Sequence, residues 1–335
     1  MSGKEQPAPL TVVDSHHERS QTAMVDSRLE RSQTKIKREL GVVAKYLEDP
    51  EVCEVMLNPD SRLWIEKFGQ PMEHVGFVSA GQAEALMSTV AATMRTTITR
   101  ENPILECELP LDGSRFEALI PPIVSAPTFT LRKKAVKVFT LADYVASGVM
   151  TARQMDVLEQ AIRERKNILV VGGTGSGKTT LCNAIIDGVS RITPEHRVVV
   201  GEDTSEIQCT AENVVFLRTS DTVDMLRLLK VTMRLRPDRI VIGECRGGEA
   251  LALLKAWNTG HDGGVATVHA NSARAGLIRM EQLIAEVIAT PMQNLIAEAV
   301  DLVVFIRKTT QGRRVEEIVS VEGYTSAGYI FQTME

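Results

Sequence analysis

The sequence predicts an α/β protein in two parts: a smaller α+β N-terminal domain, then a larger domain built on a mostly parallel sheet with flanking helices. Three observations carry this. From about Phe139 onward, short apolar strands alternate with helical stretches, the pattern of parallel strands buried on both faces. Before about Lys134, helical periodicities are followed by hairpins and alternating strands, which suits an α+β module. At 335 residues the chain is also too long for one small core and comfortable for two domains.

The elements follow in order. Residues 1–34 are polar, rich in Ser, Gln, His and charge, and read as a flexible tail. Glu-Arg-Ser-Gln-Thr occurs there twice, at 18–22 and 30–34, short of the three or more units that a repeat fold needs. The N-terminal α+β domain is expected over 35–134. Leu40, Val43, Ala44 and Leu47 recur at helical spacing, and Glu54 to Asp60 reads as a strand entering a turn. Leu63 to Glu66, followed by Phe68-Gly69-Gln70-Pro71, reads as a hairpin. Ala83 to Thr96 is a helix candidate, and Ser114 to Ile120 is an alternating strand stopped by Pro121-Pro122. Residues 135–138 form the expected linker and 139–335 the second domain, with strands at Ile168–Val171, Val198–Val200, Ile240–Ile242 and Val265–Val268.

Composition narrows the function classes. Hydrophobic residues make up 44% and charged residues 24%, an ordinary globular mixture. No apolar run approaches the 18 or so residues needed to cross a bilayer. The first residues place no apolar core behind their positive charge, so a secretory signal is not expected and a cytoplasmic location is. Cys53, Cys107, Cys182, Cys209 and Cys245 are scattered, with neither a disulfide framework nor a zinc-type pair, which suits a reducing compartment. The net charge of −5, without aromatic and basic residues interleaved, speaks against a protein whose main task is gripping nucleic acid.

The chemistry concentrates in the second domain. Gly172, Gly173, Thr174, Gly175, Ser176, Gly177, Lys178 and Thr179 match G-x-x-x-x-G-K-[ST], with Thr180 next in line. An apolar strand leads in and a helix candidate, Lys178 to Ile186, leads out. Glycines let the backbone wrap phosphates with N–H groups inward, and the helix N-terminus adds positive potential. Lys178 is expected to reach the β- and γ-phosphates of ATP, and the Thr179 hydroxyl to ligate Mg²⁺. Arg239 to Ile242 is a strand ending in Gly243-Glu244. Many P-loop enzymes carry a metal-side Asp where Gly243 stands, so Glu244 is the one acid there and is assigned to the attacking water. Glu202 and Asp203, with Glu206, follow the strand Arg197 to Val200 and are placed to serve Mg²⁺, directly or through water. Thr259 to Gly264 and Thr267 to Asn271 hold His261 and His269. Their spacing is not that of a zinc pair, and together with the glycines they read as a γ-phosphate sensor, His269 in particular.

Four ordered boxes now stand in one chain: the P-loop, Glu202-Asp203-x-x-Glu206, Arg-Pro-Asp-Arg-x-x-x-Gly-Glu at 236–244, and the Thr-Gly-His box at 259–269. In this combination the chain resembles the secretion-motor ATPases of type II and type IV secretion and type IV pili. It is most similar to their conjugal-transfer branch, through Asp112 to Arg115, Pro121-Pro122, Thr130 to Arg132 and Ile296 to Val304. The resemblance implies a RecA-like P-loop NTPase domain and a ring homohexamer with nucleotide between the two domains. It also implies Arg115 and Arg132 as arginines that reach the phosphates, with Arg234, Arg236 and Arg246 as further, unranked candidates. Other conjugation or type IV secretion components at the inner membrane would be the partners, the association peripheral. The four-cysteine zinc insertion of type II secretion ATPases is absent, and Met292 to Glu298 lacks both arginines of the stretch typical of pilus-retraction motors. A pilus assembly or retraction motor and a DNA translocase stand as alternatives, and a nucleotide-gated adaptor without turnover as a third.

Overall fold

The computed structural model describes residues 30–67, 70–134, 138–220 and 222–334. Residues 1–29 of the expected tail, Phe68 and Gly69 of the expected hairpin, and 135–137 of the expected linker lie outside them. The chain divides into two compact units between Lys134 and Ala135.

The N-terminal unit starts with helix α1 (30–40), a 3₁₀ turn at Gly41–Val43 and α2 (Ala44–Glu48). Strands β1 (Val52–Leu57), β2 (Arg62–Lys67) and β3 (Glu73–Phe77), helix α3 (Ala80–Thr93), and strands β4 (Ile104–Glu108), β5 (Arg115–Leu119) and β6 (Thr128–Arg132) follow. The strands form one antiparallel sheet in the order β3-β2-β1-β6-β5-β4. Period-2 alternation turns Phe116, Ala118, Phe129 and Leu131 into a core with Ile36, Leu40, Leu86, Met87 and Val90. Residues 30–34, expected in the tail, are helical. The reason is anchorage: Ile36, Leu40 and Val43 are buried, and Gln33 Nε2 donates to the Pro110 carbonyl at 3.1 Å. Helix α3 begins earlier than its apolar pattern because Ser79 and Gln82 form a reciprocal capping box. The hairpin is present, its second strand β3 pairing antiparallel with β2.

The C-terminal unit comprises α4 (Leu141–Ala146), α5 (Ala152–Arg163), β7 (Ile168–Gly172), α6 (Lys178–Ile192), β8 (Val198–Glu202), β9 (Val214–Arg218) and α7 (Met225–Thr232). It continues with β10 (Arg239–Ile242), α8 (Glu249–Trp257), β11 (Val265–His269), α9 (Ala273–Ala285), α10 (Gln293–Ala299), β12 (Leu302–Thr309), β13 (Gly312–Thr325) and β14 (Gly328–Thr333). The sheet order is β14-β13-β12-β7-β11-β10-β8-β9. From β12 to β9 every pairing is parallel, and β13 and β14 add an antiparallel hairpin at one side. This is the α/β architecture that the sequence predicts.

Alternate residues of each central strand feed two separate cores. Leu169, Val171, Ile240, Ile242 and Val268 join α8 and α9, while Ile168, Val170, Val200, Val241 and Val304 join α5 and α6. Each fully buried aliphatic chain contributes on the order of 1.5–3 kcal/mol, which explains why the central strands are apolar on both faces. Two polar residues brace the amino end of this sheet. Asn167 accepts from the N–H groups of Gly263 and Gly264 at 2.8 and 3.0 Å and donates to the Ala299 carbonyl at 2.8 Å. Arg239 donates to the carbonyls of Gly263 and Ile162 and to His196 Nδ1, at 2.8–3.0 Å. Burial and the neighbouring Arg165 pull the Arg239 guanidinium down to about 10, so it stays charged at neutral pH.

Candidate active site

The parallel register decides which side chains meet. Gly172 pairs with His269, and Ile242 with Gly201 and Ala266, so the P-loop, Glu202, Glu244 and His269 all emerge at the carboxyl ends of neighbouring strands. That sheet edge is where α/β folds bind ligands.

Local chemistry shapes the loop. Gly175 and Gly177 have φ of +67° and +94°, a region that favours glycine, and Gly177 caps α6. A Cβ on Gly172 would collide with the Ile306 carbonyl and the Ser176 hydroxyl, so the strand can turn into the loop only as glycine. Helix α6 then presents its first N–H groups and Lys178 to the loop. A concavity of this kind suits phosphate oxygens.

Lys178 is buried, its Nζ donating to the Gly173 carbonyl at 3.0 Å and lying 3.2 Å from His269 Nδ1. On its other side, His269 Nε2 stands 2.6 Å from Glu244 Oε1. An ammonium only donates, so its contact with the ring needs an accepting imidazole nitrogen, and Lys178 Nζ also lies 3.4 Å from Nε2. Glu244 Oε2 takes two contacts of 2.7 Å from Arg246, whose Nη1 reaches Asp203 at 3.4 Å. The Thr219 hydroxyl donates to the other Asp203 oxygen at 3.1 Å. A continuous polar chain therefore links Lys178, His269, Glu244, Arg246 and Asp203. Burial alone would lower the Arg246 guanidinium, but Glu244, then Asp203 and Glu206, hold it above its ordinary value.

The acids of the metal side divide their work. Glu202 is buried, and its Oε2 accepts from the N–H groups of Glu206 and Ile207, both at 2.9 Å. Glu206 instead accepts from the Thr179 hydroxyl at 3.3 Å. Asn183 fixes that turn by donating to the Glu206 carbonyl at 3.1 Å and accepting from the Gln208 N–H at 3.0 Å. A Cβ on Gly243 would stand 3.2 Å from the Glu202 Cβ, so Glu202 fills the space that an acid at 243 would need. The donors around Thr179 are oxygens, as a hard Mg²⁺ requires. Among the described residues no group of three or more His, Cys, Asp or Glu gathers to hold a metal by itself. A site completed by phosphate oxygens and water is the ordinary Mg²⁺ arrangement, and these residues fit it.

Not every expected residue converges. His269 stands in the chain just described, whereas His261 precedes β11 and lies at its amino end, roughly 13 Å of strand away. The glycines beside His261 have a packing reason: a Cβ at Gly263 would collide with the Arg239 guanidinium, and one at Gly264 with the Trp257 indole nitrogen. Arg234 and Arg236 sit in the turn that enters β10 at its amino end. Arg115 and Arg132 belong to the N-terminal unit, where they pair directly across β5 and β6. Glu206, Arg246 and Asn183 are the members whose contacts sequence reasoning did not supply. Only the acidic box hinted at Glu206.

The chain matches the family model described as Type II/IV secretion system protein over residues 37–326. It is 54% identical over 283 residues to the probable conjugal transfer protein TrbB of Sinorhizobium fredii, covering 84% of this chain and 87% of that one. It is 31% identical to the type IV secretion system protein PtlH of Bordetella pertussis, covering 80% and 89%. Among solved structures, the pilus retraction motor PilT with bound ADP aligns with a TM-score of 0.60 at 18% identity, over 88% of this chain and 81% of that one. That last likeness is one of fold.

Proposed function

Because the chain belongs to the type II/IV secretion system protein family, we propose that it is the ATP-hydrolysing motor of a type IV secretion or conjugation system. It powers pilus biogenesis and substrate transfer as a homohexamer, held peripherally at the cytoplasmic face of the inner membrane beside other components of that system. Among the described residues no helix is long and apolar enough to cross a membrane.

One observation carries the catalytic reading: the P-loop lysine and the strand-end acid are joined through a single imidazole, Lys178 to His269 to Glu244, at one sheet edge. The loop N–H groups, Lys178, Thr179 and Thr180 bind the phosphates of ATP. Thr179, with Glu206, Glu202 and Asp203 directly or through water, would hold Mg²⁺, which would supply charge neutralisation at the phosphates. Glu244 orients and deprotonates the attacking water. His269 reports γ-phosphate occupancy to Glu244, because Lys178 cannot turn toward a phosphate without changing its contact with the ring. Arg115 and Arg132 add positive charge that stabilises the transferring phosphoryl group.

The test is ATP turnover by the purified chain, with its mass in solution, with and without linear DNA. Turnover by a hexamer, independent of DNA, is expected. A strict requirement for DNA would replace the secretion motor with a translocase, and a chain that binds ATP without turnover would make it a nucleotide-gated adaptor.

A further inference from the structure

Strand β10 ends at Ile242, level with Ala266 of β11, while β11 runs on to His269. Gly243 and Glu244 therefore leave the sheet beside a strand that continues past them. One residue of that strand, Thr267, holds the departing segment. Its hydroxyl donates to the Gly243 carbonyl at 2.7 Å, and its own carbonyl accepts from the Cys245 N–H at 2.9 Å. From the other neighbouring strand, the Gly201 carbonyl accepts from the Gly243 N–H at 2.9 Å. The peptide planes that flank the Glu244 Cα are the ones bearing the Gly243 carbonyl and the Cys245 N–H. Both end on Thr267. A residue has only two soft backbone torsions, so holding both planes fixes Glu244 and the direction in which its side chain leaves the chain.

Thr267 is 1% exposed, so its hydroxyl depends on a protein partner, and the Gly243 carbonyl is that partner. Valine has nearly the same shape and suits a buried strand at least as well, so the hydroxyl needs a reason beyond bulk. Strand geometry supplies one. Side chains two apart along a strand share a face, so Thr267 and His269 lie on the same side of β11. Thr267 holds the main chain of Glu244 while His269 Nε2 meets its carboxylate, 2.6 Å from Oε1. Arg246 takes the other oxygen at 2.7 Å. We propose that Thr267 is a positioning residue for the strand-end acid. Its hydroxyl sets where the Glu244 carboxylate points, and so where the attacking water is held. It acts through Glu244 and not on the nucleotide. The inference rests on reading Glu244 as the base of an ATPase.

ATP turnover and ADP affinity are measured for the full chain and for its Thr267→Val, Thr267→Ser and Thr267→Ala variants. Thr267→Val keeps the bulk and loses the donor. It is expected to lower kcat roughly 10- to 100-fold, the range for a displacement of up to about 1 Å, with ADP affinity unchanged. Thr267→Ser keeps the hydroxyl and is expected to turn over near the wild-type rate. Thr267→Ala set against Thr267→Ser isolates the hydroxyl at smaller volume, so the comparison stands even where the valine variant does not fold. A cycle with Glu244→Gln adds a readout that packing alone would not move. Once the acid is gone, Thr267→Val is expected to cost little further turnover. Wild-type kcat in Thr267→Val, equal losses in the Ser and Ala variants, or a loss that multiplies with that of Glu244→Gln would overturn the inference and leave Glu244 its role. A parallel loss of ADP affinity would make Thr267 a support of the whole site and overturn it too. Normal turnover in Glu244→Gln, or none in the wild type, would instead overturn the reading of the base or of the ATPase, and this inference with it.

Discussion

Glu244 stands between His269 Nε2, 2.6 Å from its Oε1, and the Arg246 guanidinium, whose two 2.7 Å contacts hold its Oε2. Changing it to Gln keeps the shape and the acceptor but removes the basicity. Glu244→Gln is therefore expected to lose roughly 10²- to 10⁴-fold in ATP turnover, with nucleotide affinity retained. Lys178→Ala is expected to lose both, since its ammonium is the charge nearest the phosphate loop. Steady-state hydrolysis and equilibrium binding of a fluorescent nucleotide distinguish the two, and normal turnover by Glu244→Gln would unseat it as the base. Gly243 supplies a second argument. Placing there the Asp that many P-loop enzymes carry would press a side chain onto Glu202, 3.2 Å away at Cβ. Gly243→Asp is expected to lower stability by about 1–3 kcal/mol, the usual result of overpacking, and to slow turnover rather than raise it. A urea midpoint equal to that of the wild type would refute this.

Strand β11 joins two ends of the sheet with different tasks. Its carboxyl end delivers His269 to Glu244, and its amino end is pinned by Asn167, which satisfies three buried backbone groups. Asn167→Ala leaves those groups without their partner, so a destabilisation of about 3 kcal/mol is expected, read from the urea midpoint of the C-terminal unit. A loss below about 0.5 kcal/mol, the range of ordinary surface substitutions, would show that the brace carries no load. Nothing in the sequence around Asn167 announces this role, because its partners lie about a hundred residues away. The contrast with the central strands is instructive. Ile168–Val171, Val198–Val200 and Ile240–Ile242 are legible because strands covered on both faces must be apolar throughout. Strand β13 mixes Arg, Glu and Val, so it does not stand out from its surroundings by hydrophobicity alone, whereas β9 carries the apolar run Val214 to Leu217, which the expected strands leave out. The site divides in the same way. Lys178 and Glu244 are legible because phosphate binding and water activation fix residue types at fixed offsets from a strand. The pairing of Thr179 with Glu206, the reach of Arg246 to Asp203 and the separation of His261 from His269 come from register between distant strands. Local pattern cannot supply that.

Each unit of the chain has its own core, one built on α1, α3 and the antiparallel sheet, the others on the two faces of the parallel sheet. Unfolding is therefore not expected to be a single two-state event, and ligand linkage separates its stages. ADP at about 100 times its Kd stabilises the unit that binds it by about 2.7 kcal/mol. For a unit of this size that raises the midpoint by roughly 5–11 °C. The stabilised transition is expected to be the one reported by probes in the C-terminal unit, which holds the whole P-loop. The paired arginines of the N-terminal sheet give this measurement a further use. Glu108, Arg115, Arg132 and Glu54 stand side by side across β4, β5, β6 and β1, and Arg132 lies 3.6 Å from Glu54 in a largely exposed pair. Exposed pairs of this kind contribute about 0–1 kcal/mol, so they do not justify two adjacent cations by stability. Arg115→Ala and Arg132→Ala are accordingly expected to leave both melting transitions within about 2–4 °C of the wild type, while each depresses ATP turnover at saturating nucleotide. Wild-type turnover in both variants would remove these arginines from the chemistry. A collapse of the N-terminal transition would make them structural instead, and only lowered turnover in a chain that still melts normally fits charge delivered to the phosphoryl group.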